Sequence, residues 1–377
     1  MRGAVVLGIL ASAALVSGGA APLAQPAQAA SATQVLENGA DVSWLPSIEL
    51  DGSKFFDSKS KAIDPLVMMK RAGLSVARVR LWVDPVDSHS SLSESLALAK
   101  RIRAAGLKLV LDLHFSDTWA DPAHQTIPKA WLGLTHDQLV AQVATYTTKV
   151  MHAFSTRGTS PTWVQIGNEI GNGLLWPDGQ LSKWTSAEFT AMDELLNSAM
   201  SAARNSAAHP KIMIHLETGG DSSKTQGWLT NAFANGLQRP DAIGLSYYPQ
   251  WSGSFANLSA NISYIVSNFT LPVAVAETAY LNSTRAVTNQ VLDGSKNAIT
   301  GFAQTASGQA SYATAICALL RKAAGAKAIG VWWWEGFSPN SSKLRRWFDP
   351  SSISASSLVT GAGKANPAMA SLGSATH

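Results

Sequence analysis

Eight short apolar runs recur along the chain, and most are followed by a longer segment whose apolar residues return every three or four positions. The runs span 39–42, 76–82, 107–113, 163–167, 211–216, 242–246, 272–276 and 328–333; they are short, rich in β-branched residues and bounded by turn formers. The helical patterns between them cover 64–72, 93–105, 135–157, 186–206, 255–268 and 307–324. Gly73, Gly106 and Gly325 stand between a helical pattern and the next run, where a helix ends on a left-handed residue. Repeated strand–helix alternation predicts a parallel sheet covered by helices, either closed or doubly wound. The phosphate-binding fingerprints that usually accompany the doubly wound form, G-x-G-x-x-G after the first strand or G-x-x-x-x-G-K-[ST], do not occur. The predicted fold is therefore an α/β (β/α)₈ TIM barrel.

The two ends break the pattern. Arg2, an apolar stretch over 4–15 and small residues ending in Ala27-Gln28-Ala29 predict a secretory signal peptide over 1–29. The stretch is too short, and too soon interrupted by Gly18 and Gly19, to span a bilayer. The barrel domain is expected over 30–350. The Ser-, Ala- and Gly-rich segment 351–377 is expected to be loosely docked or disordered. No later apolar run reaches about 18 residues, the length a spanning helix needs, so the expected product is secreted, extracellular and free of the membrane.

Composition narrows the partner. Of 377 residues 46% are hydrophobic, enough for a large core, and only 14% are charged. The net charge of +4 includes Arg2, and Lys and Arg form at most pairs such as Arg345-Arg346, so no nucleic-acid footprint is present. A neutral polymer fits this surface better than a polyanion. Cys317 is the single cysteine, which rules out an intramolecular disulfide framework. Its helical neighbours Ala313, Ile316, Leu319 and Leu320 mark a buried thiol rather than a nucleophile. Thirteen tryptophans, among them Trp44, Trp82, Trp119, Trp131, Trp176, Trp251 and Trp332 to Trp334 near strand ends, serve packing and offer aromatic faces to sugar rings. No cofactor or metal is expected, and the chain is expected to be a monomer.

Barrel enzymes place their chemistry at the C-terminal strand ends. Here those ends carry Asp41, Ser43, Arg80, Asp84, Asp112, His114, Ser116, Asp117, Asn168, Glu169, His215, Glu217, Tyr247, Tyr248, Glu277 and Glu335. Glycosidic-bond hydrolysis needs a proton donor for the leaving oxygen and a second carboxylate for the oxocarbenium-like centre. Glu169 and Glu277 end the fourth and seventh runs, face each other across a barrel mouth and suit those roles. Asn168 is placed to hold a sugar 2-hydroxyl, and Arg80 and Tyr247 are expected to keep Glu277 charged and oriented. His114, Asp117, Asp121 and His124 fit no zinc spacing. The G-x-S-x-G elbow of a serine hydrolase does not occur.

Several blocks resemble glycoside hydrolase family 53, the arabinogalactan endo-β-1,4-galactanases of clan A. They are Gly39-Ala40-Asp41-Val42-Ser43, Val79-Arg80-Leu81-Trp82-Val83-Asp84-Pro85, Asp112-Leu113-His114-Phe115-Ser116-Asp117-Thr118-Trp119-Ala120-Asp121-Pro122, Gln165-Ile166-Gly167-Asn168-Glu169-Ile170, Ser246-Tyr247-Tyr248-Pro249 and Glu277-Thr278-Ala279-Tyr280. The resemblance runs from Gly39 to about Trp347. It implies Glu169 as acid/base, Glu277 as nucleophile, and Asp41, Arg80, His114, Trp119, Asn168, Tyr247 and Trp334 around the cleaved bond. It further implies internal cleavage of β-1,4-galactan with retained configuration. A mannanase- or xylanase-type clan A enzyme and a non-catalytic carbohydrate-binding barrel are the alternatives. Gly171 stands where the family more often has Thr or Asn. The segment 281–309 departs from the family, with only Asn282, Asn289 and Asp293 as evident oxygen donors, so the calcium site of some bacterial relatives is not implied.

Overall fold

A computed structural model describes Met1 and residues 35–283, 299, 301–337 and 356–375 of the chain. The signal-peptide reading of 1–29, along with Asn289 and Asp293, lies outside the described residues. Eight parallel strands close into a barrel in sequence order: β1 Gly39–Asp41, β2 Val76–Leu81, β3 Lys108–Leu113, β4 Trp163–Ile166, β5 Lys211–Leu216, β6 Ala242–Ser246, β7 Val273–Thr278 and β8 Ala328–Trp333, which pairs back onto β1. Helices α1 Leu45–Leu50, α2 Pro65–Arg71, α3 Leu92–Ala104, α4 His136–Thr156, α5 Ser186–Arg204, α6 Ser222–Ala234, α7 Phe255–Tyr264, α8 Ala306–Ala324 and α9 Pro367–Ser374 surround it. The fold is the (β/α)₈ TIM barrel that the alternation predicted.

Local chemistry starts and stops these elements. Thr135 and Thr185 cap α4 and α5 in reciprocal boxes with Gln138 and Glu188, and Asp64 caps α2 ahead of Pro65. Each box satisfies backbone N–H groups that a helix start leaves without partners. Gly73 follows α2 at φ 95°, the left-handed turn that brings the chain back into β2.

Side chains alternate across a strand, so every second residue of each run enters the lumen. Val76, Val110, Trp163, Met213, Ala242, Ala274, Ala276, Ile329 and Trp332 form one apolar cluster there. Two residues further along their strands, Arg78, Asp112, Gln165 and His215 lie on the same face and build a buried polar layer. This change from apolar floor to polar layer sets the level at which chemistry becomes possible.

Two features depart from the sequence reading. Strand β7 runs on to Thr278 and carries a bulge: Leu245 pairs with Val275 while Ser246 pairs with Glu277, leaving Ala276 as an extra residue. The second difference is at the C-terminus, where 356–375 are not loosely docked. Leu358, Met369 and Leu372 are fully buried, α9 packs against α8, and the Asn38 amide donates to Leu372 O at 2.8 Å. Asn366 caps α9 and donates to Gln309 Oε1, while the Trp333 indole donates to Ser356 O. Burying each such aliphatic side chain stabilises by about 1.5–3 kcal/mol, which outweighs the low complexity of the surrounding residues.

Candidate active site

Strand β4 delivers Glu169 through a strained corner. Gly167 takes φ 77° just after the strand, and a Cβ there would lie 2.7 Å from Ile170 Cγ2. Glu169 itself is left-handed at φ 51°, a conformation costing a non-glycine residue about 1–3 kcal/mol. Neighbours hold the corner in place: Gln125 donates to Asn168 O at 2.8 Å, Trp228 to Ile170 O at 3.2 Å, and Glu217 accepts from the Gly171 N–H at 3.0 Å. A Cβ at Gly171 would collide with the Glu217 carboxylate, so glycine is what allows this contact.

Strand β7 delivers Glu277 through its bulge. Regular alternation would send residue 277 outward, the side opposite Ala274 and Ala276. The extra residue reverses the parity: Thr278 turns out to meet Tyr312 at 2.6 Å, and Glu277 turns in. There its Oε1 pairs with Arg78 at 2.8 Å and its Oε2 accepts from the Tyr248 hydroxyl at 3.0 Å. Arg78 also pairs with Asp41 at 3.1 Å and Asp112 at 2.8 Å and donates to Asn168 Oδ1 at 2.9 Å. One buried cation thus serves three carboxylates.

Glu169 has different company. Among the described residues its side-chain donor is the Ser246 hydroxyl, 2.7 Å from Oε1. Burial raises both carboxyls above the usual carboxylate range, and the charge of Glu277 adds to the rise at Glu169, which lies well above it. At Glu277 the Arg78 guanidinium and the Tyr248 hydroxyl oppose that rise. A proton shared by this pair therefore settles on Glu169, leaving Glu277 anionic, the division of labour that a proton donor and a nucleophile require.

Contrary to expectation, the side chains of Arg80 and Tyr247 do not reach the Glu277 carboxylate; Tyr247 meets Glu277 through the backbone, its N–H donating to Glu277 O at 2.8 Å. Arg80 points into an aromatic box, 4.0 Å from the Trp119 ring and within 5.4 Å of Trp44 and 5.2 Å of Trp82, and pairs with Glu335 at 3.4 Å. Tyr247 is buried on the outer side of the strand end and donates to Gly253 O at 2.7 Å. Arg78 and Tyr248 hold the positions assigned to them. Arg78 has the same strand parity as Arg80 but lies one pleat deeper, at the level of the carboxylates. The choice between the two tyrosines turns on how the chain leaves β6.

The remaining expected residues gather at the same end. Asp41 joins the Arg78 network. His114 donates from Nε2 to Asp112 at 2.9 Å, while Nδ1 accepts from Ala120 N–H at 3.1 Å and Trp82 Nε1–H at 3.3 Å; the tautomer follows from these partners. Both nitrogens are committed, so this ring anchors the loop carrying Trp119. Burial pushes its pKa down and keeps it neutral. Asn168 donates to Ala120 O at 2.8 Å and accepts from Arg78, so its amide is fixed in orientation. The half-buried Trp119 and Trp334 flank the site, Trp119 stacked on Arg80 and Trp334 edge-on to Tyr248 with ring centroids 6.3 Å apart. His124 and Asp121 pair with each other at 2.9 Å, and among the described residues no three His, Cys, Asp or Glu side chains group as a metal site.

Comparison with known proteins agrees with this arrangement. The sequence pattern of glycosyl hydrolase family 53 matches residues 37–372. An uncharacterized protein of Niallia circulans is 32% identical over 302 residues, 79% of this chain and 82% of that protein. The arabinogalactan endo-β-1,4-galactanase of Thermothelomyces thermophilus is 36% identical over 247 residues, 64% of this chain and 73% of its own length. A solved fungal β-1,4-galactanase superposes with a TM-score of 0.79 at 28% identity, covering 90% of this chain and 99% of that one. A match across nearly the whole barrel, on a site with two carboxyls in opposed environments, leads to one assignment: the chain belongs to glycosyl hydrolase family 53.

Proposed function

We propose that this chain is an exported endo-β-1,4-galactanase that cleaves galactan, including the type I arabinogalactan of pectin, with retention of configuration. The observation carrying the chemistry is the unequal setting of two converging carboxyls, Glu277 beside a buried guanidinium and a phenol and Glu169 beside a neutral hydroxyl. In the first step a Glu277 oxygen attacks the anomeric carbon while Glu169 gives its proton to the departing glycosidic oxygen. In the second, Glu169, now a carboxylate, takes a proton from water as that water displaces Glu277. Glu277 is thereby freed as a carboxylate and Glu169 is again protonated, so the cycle balances.

The substrate rests on the galactanases among the similar proteins, and export rests on the signal-like pattern over 1–29. Among the described residues no helix is long and apolar enough to cross a membrane. The decisive assay is product analysis on linear β-1,4-galactan with β-1,3-galactan as control. Internal cleavage of the first alone, with β-anomers appearing first by proton NMR, is the expected result. Release from mannan or xylan instead would transfer the site to another clan A activity, and binding without release would make it a carbohydrate-binding barrel. Glu277→Ala with azide should yield the inverted galactosyl azide, and undiminished turnover in Glu277→Gln would remove that residue from the mechanism.

A further inference from the structure

An acid/base carboxyl must lose and regain one proton in each cycle, so its partners have to suit both charge states. A cation would favour its ionised form throughout, as Arg78 does at Glu277. At Glu169 the barrel supplies instead a chain of neutral groups. Ser246 Oγ lies 2.7 Å from Glu169 Oε1, and His215 Nε2 lies 2.9 Å from Ser246 Oγ. Nδ1 of His215 faces the Gln165 amide nitrogen at 3.0 Å and Asn168 Oδ1 at 2.9 Å, so this ring nitrogen has a partner whether it accepts or donates. Ser246 and His215 are buried, and they occupy strand positions on β6 and β5 rather than loops, so the chain is rigidly mounted.

Resting on the acid/base role of Glu169, we infer that Ser246, backed by His215, is a positioning residue that donates to Oε1 and so leaves the transferable proton of Glu169 on Oε2. With Nε2–H of His215 directed at Ser246 Oγ, the hydroxyl hydrogen has one acceptor left, Oε1. That oxygen acts as an acceptor in both charge states, and the proton exchanged with the glycosidic oxygen and later with water is carried by the other one. The hydroxyl strengthens its bond when Glu169 ionises but carries no charge, so it assists the base form without preventing reprotonation. His215 remains neutral because burial and the Arg78 charge push its pKa far down.

The charged and titratable groups around Glu169 are Glu277 on β7, Glu217 after β5, Asp121 in the loop after β3 and Tyr248 after β6, with Arg78 on β2 paired to Glu277. Replacing Ser246 alters none of them, so a change in the titration of Glu169 reports the hydroxyl. The experiment is carbon-13 NMR titration of glutamate-labelled protein, with the Glu169 carboxyl assigned by its loss in Glu169→Gln. In Ser246→Ala the Glu169 midpoint should rise by about one pH unit, the size expected for losing a hydrogen bond to a charged group. The alkaline limb of kcat/KM on β-1,4-galactan should rise with it, and Ser246→Thr should restore both. An unmoved Glu169 midpoint in a folded Ser246→Ala protein overturns the inference, as does a midpoint in Ser246→Thr that stays with Ser246→Ala. The titration needs no substrate, so it remains decisive even if the galactanase reading fails in the product assay.

Discussion

Asp193 offers a test of the folded state that is independent of catalysis. It sits on the inner face of α5 with 1% of its surface exposed, and among the described residues neither carboxylate oxygen has a hydrogen-bond partner. The nearby Leu237 N–H, which opposes the rise in its pKa, is already bonded to Ala232 O. Burial pushes the carboxyl from 3.8 up to about 8. The folded chain therefore binds this proton more tightly than the unfolded chain does. The contribution to stability is complete below about pH 4 and is lost as pH rises through about 8, at up to about 1.4 kcal/mol per pH unit. Over the full window the ceiling is about 6 kcal/mol, reduced to the extent that the folded protein relaxes around the anion. Asp193→Asn removes the titration at a pH-independent cost of about 1–3 kcal/mol for its own poorly paired amide. Urea unfolding at pH 4.5 and 7.5 should show the variant gaining several kcal/mol on the parent between the two values. An equal difference at both pH values would show that Asp193 is ionised and solvated in the folded chain, and the reasoning would fail.

Four further outcomes follow from particular contacts. Tyr248→Phe removes a donor to the Glu277 carboxylate and should cut kcat/KM by about 10- to 100-fold, whereas Tyr247→Phe loses a bond to Gly253 O and should lower thermal stability with kcat/KM within a few-fold. Lys224 pairs with Glu217 at 2.6 Å, and Glu217 faces Glu169, so Lys224→Met should move the alkaline limb of kcat/KM upward by a fraction of a pH unit, an effect that salt diminishes. Leu372→Ala, at a fully buried position of α9, should cost about 2–5 kcal/mol in denaturant unfolding, while a loosely docked tail would make it silent. The Cys317 thiol is buried and pushed up to about 12, so a thiol reagent at pH 8 should label the protein only after unfolding.

The barrel was legible because its information is periodic. Every barrel strand coincides with an apolar run, and α2, α3, α4, α5 and α8 fall within about two residues of the segments read from the sequence. What escaped the pattern was information of another kind. Helices α1 and α6 are short or polar and are fixed by packing rather than by their own periodicity. The C-terminal segment looked featureless because Ala, Ser and Gly dominate it, and its few large residues gain meaning only once the groove beside α8 exists. The places of Glu169 and Glu277 at strand ends were legible. The partners of Glu277 were not, because an unanticipated bulge at Ala276 decides which face of β7 residue 277 occupies. Depth in the lumen, which separates Arg78 from Arg80, is likewise a three-dimensional property: both residues have the same parity and the same charge.

The charge balance of the lumen explains why the polar layer takes this form. Arg78 cannot neutralise Asp41, Asp112, Glu277 and Glu169 together, and His114 and His215 stay neutral. Ionising Glu169 as well would leave four carboxylates around one guanidinium in a poorly solvated space, where like charges strongly oppose each other. Of the carboxyls around Arg78, Glu169 has the least cationic support, and burial with the Glu277 charge pushes it well above the usual carboxylate range, so it is the one that most favours a proton. A second lumen cation close to Glu169 would bring the layer nearer to neutrality and remove the proton the first step needs. Such a layer is costly to bury, and replacing ion pairs of this kind with apolar groups often stabilises a protein. Its retention above an apolar floor, in a chain whose single cysteine permits no intramolecular disulfide, points to a core that sacrifices stability to hold two identical side chains in unlike electrostatic settings.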